Sequence, residues 1–171
     1  QTIRTPDQPT AARNETPPNV VALLLALAPV VAAAVIGNIA TIPAIDSWYA
    51  GLAKASFNPP NAVFAPVWTL LYLLMAYAFF RVLAAPAQDG KGSAIALFLL
   101  QIALNAGWSW AFFGFRNPLA GLLVIVLLAL AILATIRAFA RIDRVAAILL
   151  VPYLAWVSFA ATLNFEVWRL N

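Results

Sequence analysis

Two apolar stretches of the chain carry aromatic and amide side chains at helical spacing, where they can stack on a bound molecule and hydrogen-bond to it. The residues that share a face are Trp68, Tyr72 and Met75 in one stretch, and Tyr153, Trp156, Ala160 and Asn164 in the other. Such a stripe is usually packed core. An indole N–H deep in a bundle, however, needs a hydrogen-bond partner. These residues support a pocket for a flat, largely apolar molecule and a packed core equally.

A third stretch separates two faces at 100° per residue. One face carries polar and aromatic residues, namely Gln101, Asn105, Trp108 and Phe112. The other face carries small residues, namely Ala103, Gly107, Ala111 and Gly114. The amides of Gln101, Asn105 and Asn164 can bond the indoles or a ligand carboxylate or carbonyl. Small residues let two membrane helices approach closely. The row Ala103, Gly107 and Ala111 is therefore a candidate dimer seam, with packing inside one bundle as the alternative.

The residue types that are missing exclude several kinds of site. The chain contains no cysteine and no histidine, which excludes disulfides, thiolate metal sites, imidazole acid–base chemistry and histidine-ligated haem. We therefore predict no metal site, no obligatory cofactor and no ordinary catalytic residue. The apolar cores contain no ionisable side chain, and Glu166 comes closest, within a turn of Trp168 at the expected interface. A small-solute transporter is thus disfavoured, because ion-coupled transporters usually place charges at membrane depth.

The composition indicates an integral membrane protein, because 64% of the residues are hydrophobic and 9% are charged, against roughly 25% charged residues in soluble domains. Five segments have the length and apolar character of a membrane span. They cover residues 20–42, 63–83, 93–115, 119–139 and 145–168. We predict an all-α integral membrane protein, a five-transmembrane-helix bundle formed as a single domain by residues 20–171. The net charge is +4, and the charged residues lie near the ends of the spans. This placement indicates membrane topology and not nucleic-acid binding.

Two segments outside the spans differ in character. Residues 1–19 are polar and rich in proline, which predicts a mobile tail, and they contain the sequon Asn14-Glu15-Thr16. The connection over residues 43–61 is long and holds Trp48-Tyr49 and Phe57-Asn58-Pro59-Pro60. Such a loop is typical of a lid or binding element. The alternative is an interfacial aromatic belt, and both descriptions can hold.

Several motifs occur in order over residues 20–171. They are Trp48-Tyr49 with Leu52 and Lys54, Asn58-Pro59-Pro60, the run from Val63 to Tyr72, Ala103-Leu104-Asn105 with Trp108, Phe113-Gly114, Pro152-Tyr153-Leu154-Ala155-Trp156, and Leu163-Asn164-Phe165 through Trp168-Arg169. In this order they closely resemble the translocator protein family, also called the tryptophan-rich sensory protein or peripheral-type benzodiazepine receptor family. The resemblance implies a five-helix membrane bundle, often dimeric. It also implies a pocket that opens toward the first loop and binds tetrapyrroles such as protoporphyrin IX, and in animal members cholesterol and synthetic ligands.

The resemblance also implies site residues, because it places several of them in the pocket and others in the loop over it. Together with the stripes described above, the predicted ligand-binding residues are Trp48, Phe57, Asn58, Pro59, Trp68, Tyr72, Asn105, Trp108, Tyr153, Trp156, Ala160, Leu163 and Asn164. Two positions depart from the family pattern. Lys54 is followed by Ala55-Ser56-Phe57, so that one lid aromatic lacks an indole N–H. Phe165 stands where the sterol motif has tyrosine, which makes a sterol a weak candidate partner.

We expect a membrane receptor or carrier that binds protoporphyrin IX-like tetrapyrroles and related flat, apolar ligands. One alternative is the light-dependent porphyrin-degrading activity known for some family members, in which Trp68 and Trp156 would react. A small-solute transporter is the other. The expected partners are the lipid bilayer, a porphyrin-type molecule and a second copy of the chain, without nucleic acid. The expected location is a bacterial cell envelope, with the mitochondrial outer membrane as the alternative.

Overall fold

The computed structural model describes residues 18–171, and every regular element in this range is helical. The helices, in chain order, are α1 (Pro18–Ile45), α2 (Asn61–Ala84), α3 (Lys91–Ser109), α4 (Pro118–Ala140), α5 (Arg144–Leu149) and α6 (Val151–Leu170). A wider π-helical turn, Trp110–Gly114, continues α3, and a short 3₁₀ turn, Tyr49–Gly51, lies in the long connection. The part of the predicted tail before Pro18, with its sequon, lies outside the described residues.

Five helical stretches of the described chain are long and apolar enough to cross a membrane. They cover residues 19–45, 61–84, 91–114, 118–140 and 144–170, the last of which combines α5 and α6. The two helices meet at Leu150. Pro152, in the first turn of α6, has no backbone N–H and cannot donate to the carbonyl four residues earlier, so the helical hydrogen bonds are interrupted there. The predicted fold class is therefore confirmed, and the chain is a multi-pass membrane protein.

Asp143 fixes the turn between α4 and α5. Its carboxylate accepts the backbone N–H groups of Val145 at 2.8 Å and Ala146 at 3.1 Å, and it pairs with Arg81 of α2 at 2.8 Å. Burial by itself raises the pKa of Asp143, but the hydrogen bonds from Arg81 and the two N–H groups outweigh it and hold this pKa below its ordinary value. The end of α2 is thereby tied to the α4–α5 turn.

The core is dense at the end of the bundle away from the long connection. Phe79, Phe98 and Phe139 are buried there in a stack, with ring centroids 4.0 Å apart for the first pair and 5.8 Å apart for the second. Around this stack α3 packs against α1 and α4, α4 against α6, and α2 against α1 and α5. Helix α2 makes few contacts with α6. Space remains between the helices at the opposite end, which carries the long connection.

Candidate functional site

A cavity of about 630 Å³ lies between α1, α2, α3 and α6, at the end of the bundle that carries the long connection. This volume falls within the range of roughly 300–1,000 Å³ that small-molecule sites occupy. The lining extends from Leu27 to Ile45 on α1 and from Ala160 to Val167 on α6. No charged residue is among the described residues that line it. The cavity therefore suits a mostly apolar molecule of moderate size.

Aromatic rings line two sides of the cavity. They are Phe64, Trp68 and Tyr72 on α2, and Trp108, Phe112 and Phe113 on the α3 side. Trp68 and Tyr72 lie with their ring centroids 5.5 Å apart and their planes tilted by 33°. Trp108 is stacked on Phe112, with centroids 5.7 Å apart and an interplanar angle of 22°. A planar ligand can stack on these surfaces.

The π-helical turn places two consecutive rings at the cavity. In this turn the N–H of Phe115 donates to the carbonyl of Trp110, five residues earlier, at 2.7 Å. The wider turn changes the angular spacing of the side chains, so that Phe112 and Phe113 both reach the lining. The indole N–H of Trp110 donates to the carbonyl of Ile36 at 3.1 Å, which attaches the turn to α1.

Asn105 connects two tyrosines on neighbouring helices. Its Oδ1 accepts a hydrogen bond from the hydroxyl of Tyr72 at 3.1 Å, and its Nδ2 donates to the hydroxyl of Tyr153 at 3.0 Å. These bonds satisfy groups that are buried between α2, α3 and α6. Gln101, one turn from Asn105 on α3, is fully buried, and neither atom of its amide has a partner among the described residues. The polar side of the cavity is thus organised by Asn105.

Asn164 connects α6 with α3 and α4. Its Oδ1 accepts the indole N–H of Trp108 at 3.1 Å, and its Nδ2 donates to the carbonyl of Pro118 at 2.7 Å. Gly121 of α4 lies so close that an added Cβ would come within 2.9 Å of the Asn164 Oδ1. The absence of a side chain at Gly121 therefore makes room for the amide that orients Trp108.

The structure brings part of the predicted ligand-binding set together around the cavity. The predicted residues that line it are Trp68, Tyr72, Asn105, Trp108, Ala160, Leu163 and Asn164. Tyr153 is fully buried and bonds Asn105 without being part of the lining. Trp156 packs edge-on against Phe64 with centroids 5.8 Å apart, and its buried indole N–H has no partner among the described residues. Tyr153 and Trp156 thus support residues of the lining from outside the cavity.

The predicted loop residues Trp48 and Phe57 pack against the helices and do not line the cavity. Trp48 contacts Phe112 edge-on, with ring centroids 5.5 Å apart. Phe57 is exposed and lies 6.4 Å from Phe159, measured between ring centroids. Through these aromatic contacts the loop is held to the α3 side at one place and to α6 at another.

Tyr49 lines the cavity from the loop, although it is not among the predicted ligand-binding residues. Its hydroxyl donates to the Oδ1 of Asn58 at 3.4 Å, and the Asn58 amide donates to the carbonyl of Pro59 at 3.0 Å. Burial raises the pKa of Tyr49, and the bond to Asn58 lowers it by less. The phenol therefore remains a protonated donor, and the Lys54 ammonium lies 4.6 Å from its ring centroid.

Asn171 attaches the loop to the end of α6. Its Oδ1 accepts the N–H of Ala53 and its Nδ2 donates to the carbonyl of Ala53, both at 3.0 Å. The same Nδ2 donates to the carbonyl of Val167 at 2.7 Å. The side-chain amide thus pairs with one peptide unit of the loop and holds it at the end of the bundle where the cavity lies.

Helix α1 and the end of α3 supply polar lining residues that the sequence analysis did not select. They are Asn38, Thr41 and Ser109. Helix α1 is apolar and has no aromatic stripe, so its periodicity marks no face. The residue type of Asn38 is the one signal in α1 that could have predicted a lining residue, because an amide within a membrane span usually faces a partner or a cavity.

The predicted seam lies partly on the outer surface of the bundle. Ala103 and Gly107 are exposed, and a Cβ added to Gly107 would meet no atom within 4 Å. Ala111 is buried. Within the chain, Gly107 is therefore not needed for close approach of another helix.

Comparison with known proteins places this fold and site in a family. A model of the TspO/MBR family matches residues 25–169. The chain belongs to the TspO/MBR family. The resemblance stated from the sequence motifs is thus confirmed.

Relatives of this TspO/MBR protein come from distant organisms. The tryptophan-rich protein TspO of Chlorobaculum tepidum is 48% identical over 131 residues, which cover 75% of this chain and 83% of the relative. The tryptophan-rich sensory protein of Cereibacter sphaeroides is 43% identical over 74% of this chain and 78% of its own length. The human translocator protein is 41% identical over 72% of this chain and 75% of its own length.

Proposed function

We propose that this protein is a membrane receptor or carrier for tetrapyrroles of the protoporphyrin IX type and for related flat, apolar ligands. The observation that carries the proposal is the cavity of about 630 Å³ with aromatic side chains on two of its sides. Stacking on such rings contributes about 0.5–1.5 kcal/mol per aromatic pair beyond the burial of area. The names of two relatives, a sensory protein and a translocator protein, are consistent with the binding of a small molecule.

A metal-free porphyrin fits the lining better than an iron porphyrin. Haem iron is usually held by histidine, cysteine or methionine, or by tyrosine in some proteins. The chain has no histidine or cysteine, and Met75 is fully buried and not part of the lining. The hydroxyl hydrogens of Tyr49 and Tyr72 are engaged by asparagine oxygens. We therefore expect protoporphyrin IX to bind at least as well as haem.

The test is a titration of the purified protein with protoporphyrin IX in the dark, followed by quenching of tryptophan fluorescence. Saturable quenching at micromolar ligand is expected. Trp68→Leu is expected to weaken binding, whereas Trp168→Leu, at an exposed residue outside the cavity, serves as the matched control. Absence of saturable binding contradicts the proposal, and a six-coordinate haem spectrum with much tighter haem binding contradicts the non-coordinating lining.

A light-dependent degradation of porphyrin is the second candidate function, and the position of Trp68 on the cavity surface favours it. A bound, photoexcited ring would contact Trp68, whereas Trp156 lies against Phe64 outside the lining. Illumination of the complex distinguishes the two functions. A receptor or carrier keeps the porphyrin absorption unchanged in light and dark, whereas degradation bleaches it in light alone and yields a product.

We also propose a homodimer and a bacterial cell envelope as its setting. The exposed positions Ala103 and Gly107 allow close approach of a second copy.

The identity of 48% to a bacterial relative, against 41% to the human one, favours a bacterial envelope over the mitochondrial outer membrane.

A further inference from the structure

The polar side chains of the cavity differ in whether their hydrogen-bond donors are already used. Most of the donors bond other protein groups. Tyr72, Asn105, Trp108 and Asn164 take part in the bonds described above, and Tyr49 donates to Asn58. The hydroxyls of Thr41 and Thr69 donate to the carbonyls of Gly37 and Ala65, both at 2.9 Å. The hydroxyl and indole donors of these residues are therefore used, whereas the amides of Asn105 and Asn164 each keep one of their two N–H groups.

Four lining residues make no side-chain hydrogen bond to another described residue: Asn38, Asn61, Trp68 and Ser109. Asn61 is the first residue of α2, at the end of the span, and Trp68 belongs to the aromatic surface. The remaining two, Asn38 and Ser109, lie on the packed helices α1 and α3. A Cβ added to Gly37 would lie 3.1 Å from the Ser109 Oγ, so the hydroxyl is next to the backbone that carries Asn38.

The position of Asn38 in its span makes an unused amide costly. It precedes the end of the span at Ile45 by about two helical turns, roughly 10 Å along the axis. Asn38 is exposed and lines the cavity, and an amide without a partner is costly in a membrane span, because hydrocarbon offers no hydrogen bond. A bound molecule that reaches Asn38 can supply the missing partner.

The absence of charged residues among the described lining residues determines which ligand group can bond Asn38 and Ser109. Asn38 offers two N–H donors and Ser109 one O–H donor, and these call for an acceptor oxygen. An ionised carboxylate in this place would lack a countercharge, because no lysine or arginine is among the described lining residues. The cation of the long connection, Lys54, already donates to the carbonyls of Ala50 and Leu52. An uncharged carbonyl or ester oxygen satisfies the donors without that cost.

We infer that Asn38 and Ser109 form a subsite for an uncharged hydrogen-bond acceptor on the ligand, so that the cavity selects neutral, carbonyl-bearing forms of a flat molecule over their anions. The inference deepens the proposed function and rests on it for the choice of porphyrin probes. The carboxylates of a diacid porphyrin then lie outside this subsite.

The first experiment compares protoporphyrin IX dimethyl ester with etioporphyrin, a porphyrin without oxygen atoms, on wild type, Asn38→Leu and Ser109→Ala. Loss of one hydrogen bond is expected to weaken binding of the ester by about three- to tenfold in Asn38→Leu. Binding of etioporphyrin is expected to stay unchanged, because it uses no donor. Ser158→Ala, which removes an exposed hydroxyl on α6 outside the cavity, is the matched control for Ser109→Ala. Equal losses for both porphyrins, or none, overturn the inference.

A second probe separates failure of the subsite from failure of porphyrin binding. An acyl-naphthalene fluorophore is a flat ketone whose emission shifts to the red when its carbonyl accepts a hydrogen bond. Bound to wild type it is expected to emit further to the red than bound to Asn38→Leu, while Ser158→Ala matches wild type. A shift without any porphyrin binding would reject the proposed function and retain the subsite. Identical emission from wild type and Asn38→Leu would reject the subsite.

Discussion

The indole N–H of Trp108 donates to the Oδ1 of Asn164 at 3.1 Å, and this bond joins α3 to α6 at the cavity. Replacing Asn164 by Leu leaves the indole N–H and the carbonyl of Pro118 without their partner. An unsatisfied buried group costs about 1–3 kcal/mol. Asn164→Leu is therefore expected to lower the thermal midpoint in detergent and to weaken protoporphyrin binding. An unchanged midpoint and affinity would show that the bond is dispensable.

Gly121 and Gly107 form a matched pair of glycines in helices. A Cβ at Gly121 would come within 2.9 Å of both Asn164 and Phe112, whereas a Cβ at Gly107 would meet nothing within 4 Å. Gly121→Ala is expected to destabilise the bundle by about 1–3 kcal/mol, as overpacking does. Gly107→Ala is expected to leave the stability unchanged or to raise it by up to about 1 kcal/mol, because alanine has a higher helix propensity than glycine. Thermal unfolding monitored by circular dichroism measures both. Equal midpoints would contradict the assigned close approach at Gly121.

The outer face around Gly107 offers a test of the proposed dimer. Gly107→Leu adds bulk where the chain itself makes no contact, so the bundle is expected to fold and to bind porphyrin. If two copies approach through this face, the variant is a monomer in detergent while wild type is a dimer. Size-exclusion chromatography with light scattering measures the difference. A dimeric Gly107→Leu places the interface elsewhere, and an unfolded one contradicts the open surface.

Trp68 and Trp156 are expected to differ in their effect on binding. Trp68 lines the cavity, whereas Trp156 packs on Phe64 outside it. Trp68→Ala removes a stacking surface and is expected to weaken protoporphyrin binding by about tenfold. Trp156→Ala is expected to weaken it less, since Trp156 does not line the cavity and packs against the lining residue Phe64 and against Phe159. Dissociation constants from fluorescence titration decide, and a larger loss at Trp156 would mean that this indole contacts the ligand.

The amide of Asn171 is expected to restrain the loop over residues 46–60. Asn171→Leu removes both hydrogen bonds to Ala53. Hydrogen exchange in residues 50–58 is therefore expected to accelerate, and bound porphyrin is expected to dissociate faster. Wild-type loop exchange is expected to slow on ligand binding far more than exchange in the 85–90 connection. Ligand-independent exchange in the loop would contradict its role as a lid and favour the interfacial-belt interpretation.

The ion pair of Asp143 with Arg81 predicts a pH dependence of stability. The folded protein holds the pKa of Asp143 below its ordinary value, so the pair stabilises the fold above the unfolded-state pKa of about 3.9. This contribution is lost as the pH falls through the folded-state pKa. Asp143→Asn is expected to lower the thermal midpoint slightly at pH 7, since ion pairs that solvent can reach contribute little to stability. The difference from wild type is expected to shrink as the pH falls below the unfolded-state pKa and to vanish below the folded-state pKa. A difference that did not change with pH in this acid range would contradict the assignment.

The sequence predicted the spans well because length and composition alone determine whether a helix can cross a membrane. It also selected Asn105 and Trp108, since helical phase places them on one face. Helical phase predicts the direction of a side chain around its own helix, but it does not predict which neighbouring residue that side chain contacts. Trp156 shares a face with Ala160, yet only Ala160 lines the cavity. Asn38 was not predicted as a lining residue, because an apolar helix without an aromatic stripe has no face that the sequence distinguishes.

The π-helical turn Trp110–Gly114 amounts to one extra residue in a helix that would otherwise run straight. Deleting a single residue there would let regular α-helical hydrogen bonds form, and the adjacent rings of Phe112 and Phe113 would then lie about 100° apart around the helix axis. Phe113 would then leave the cavity although no lining residue had changed its type. Within the family, a one-residue gap at this turn is therefore expected to signal a change of ligand preference that comparison of aligned side chains alone would overlook.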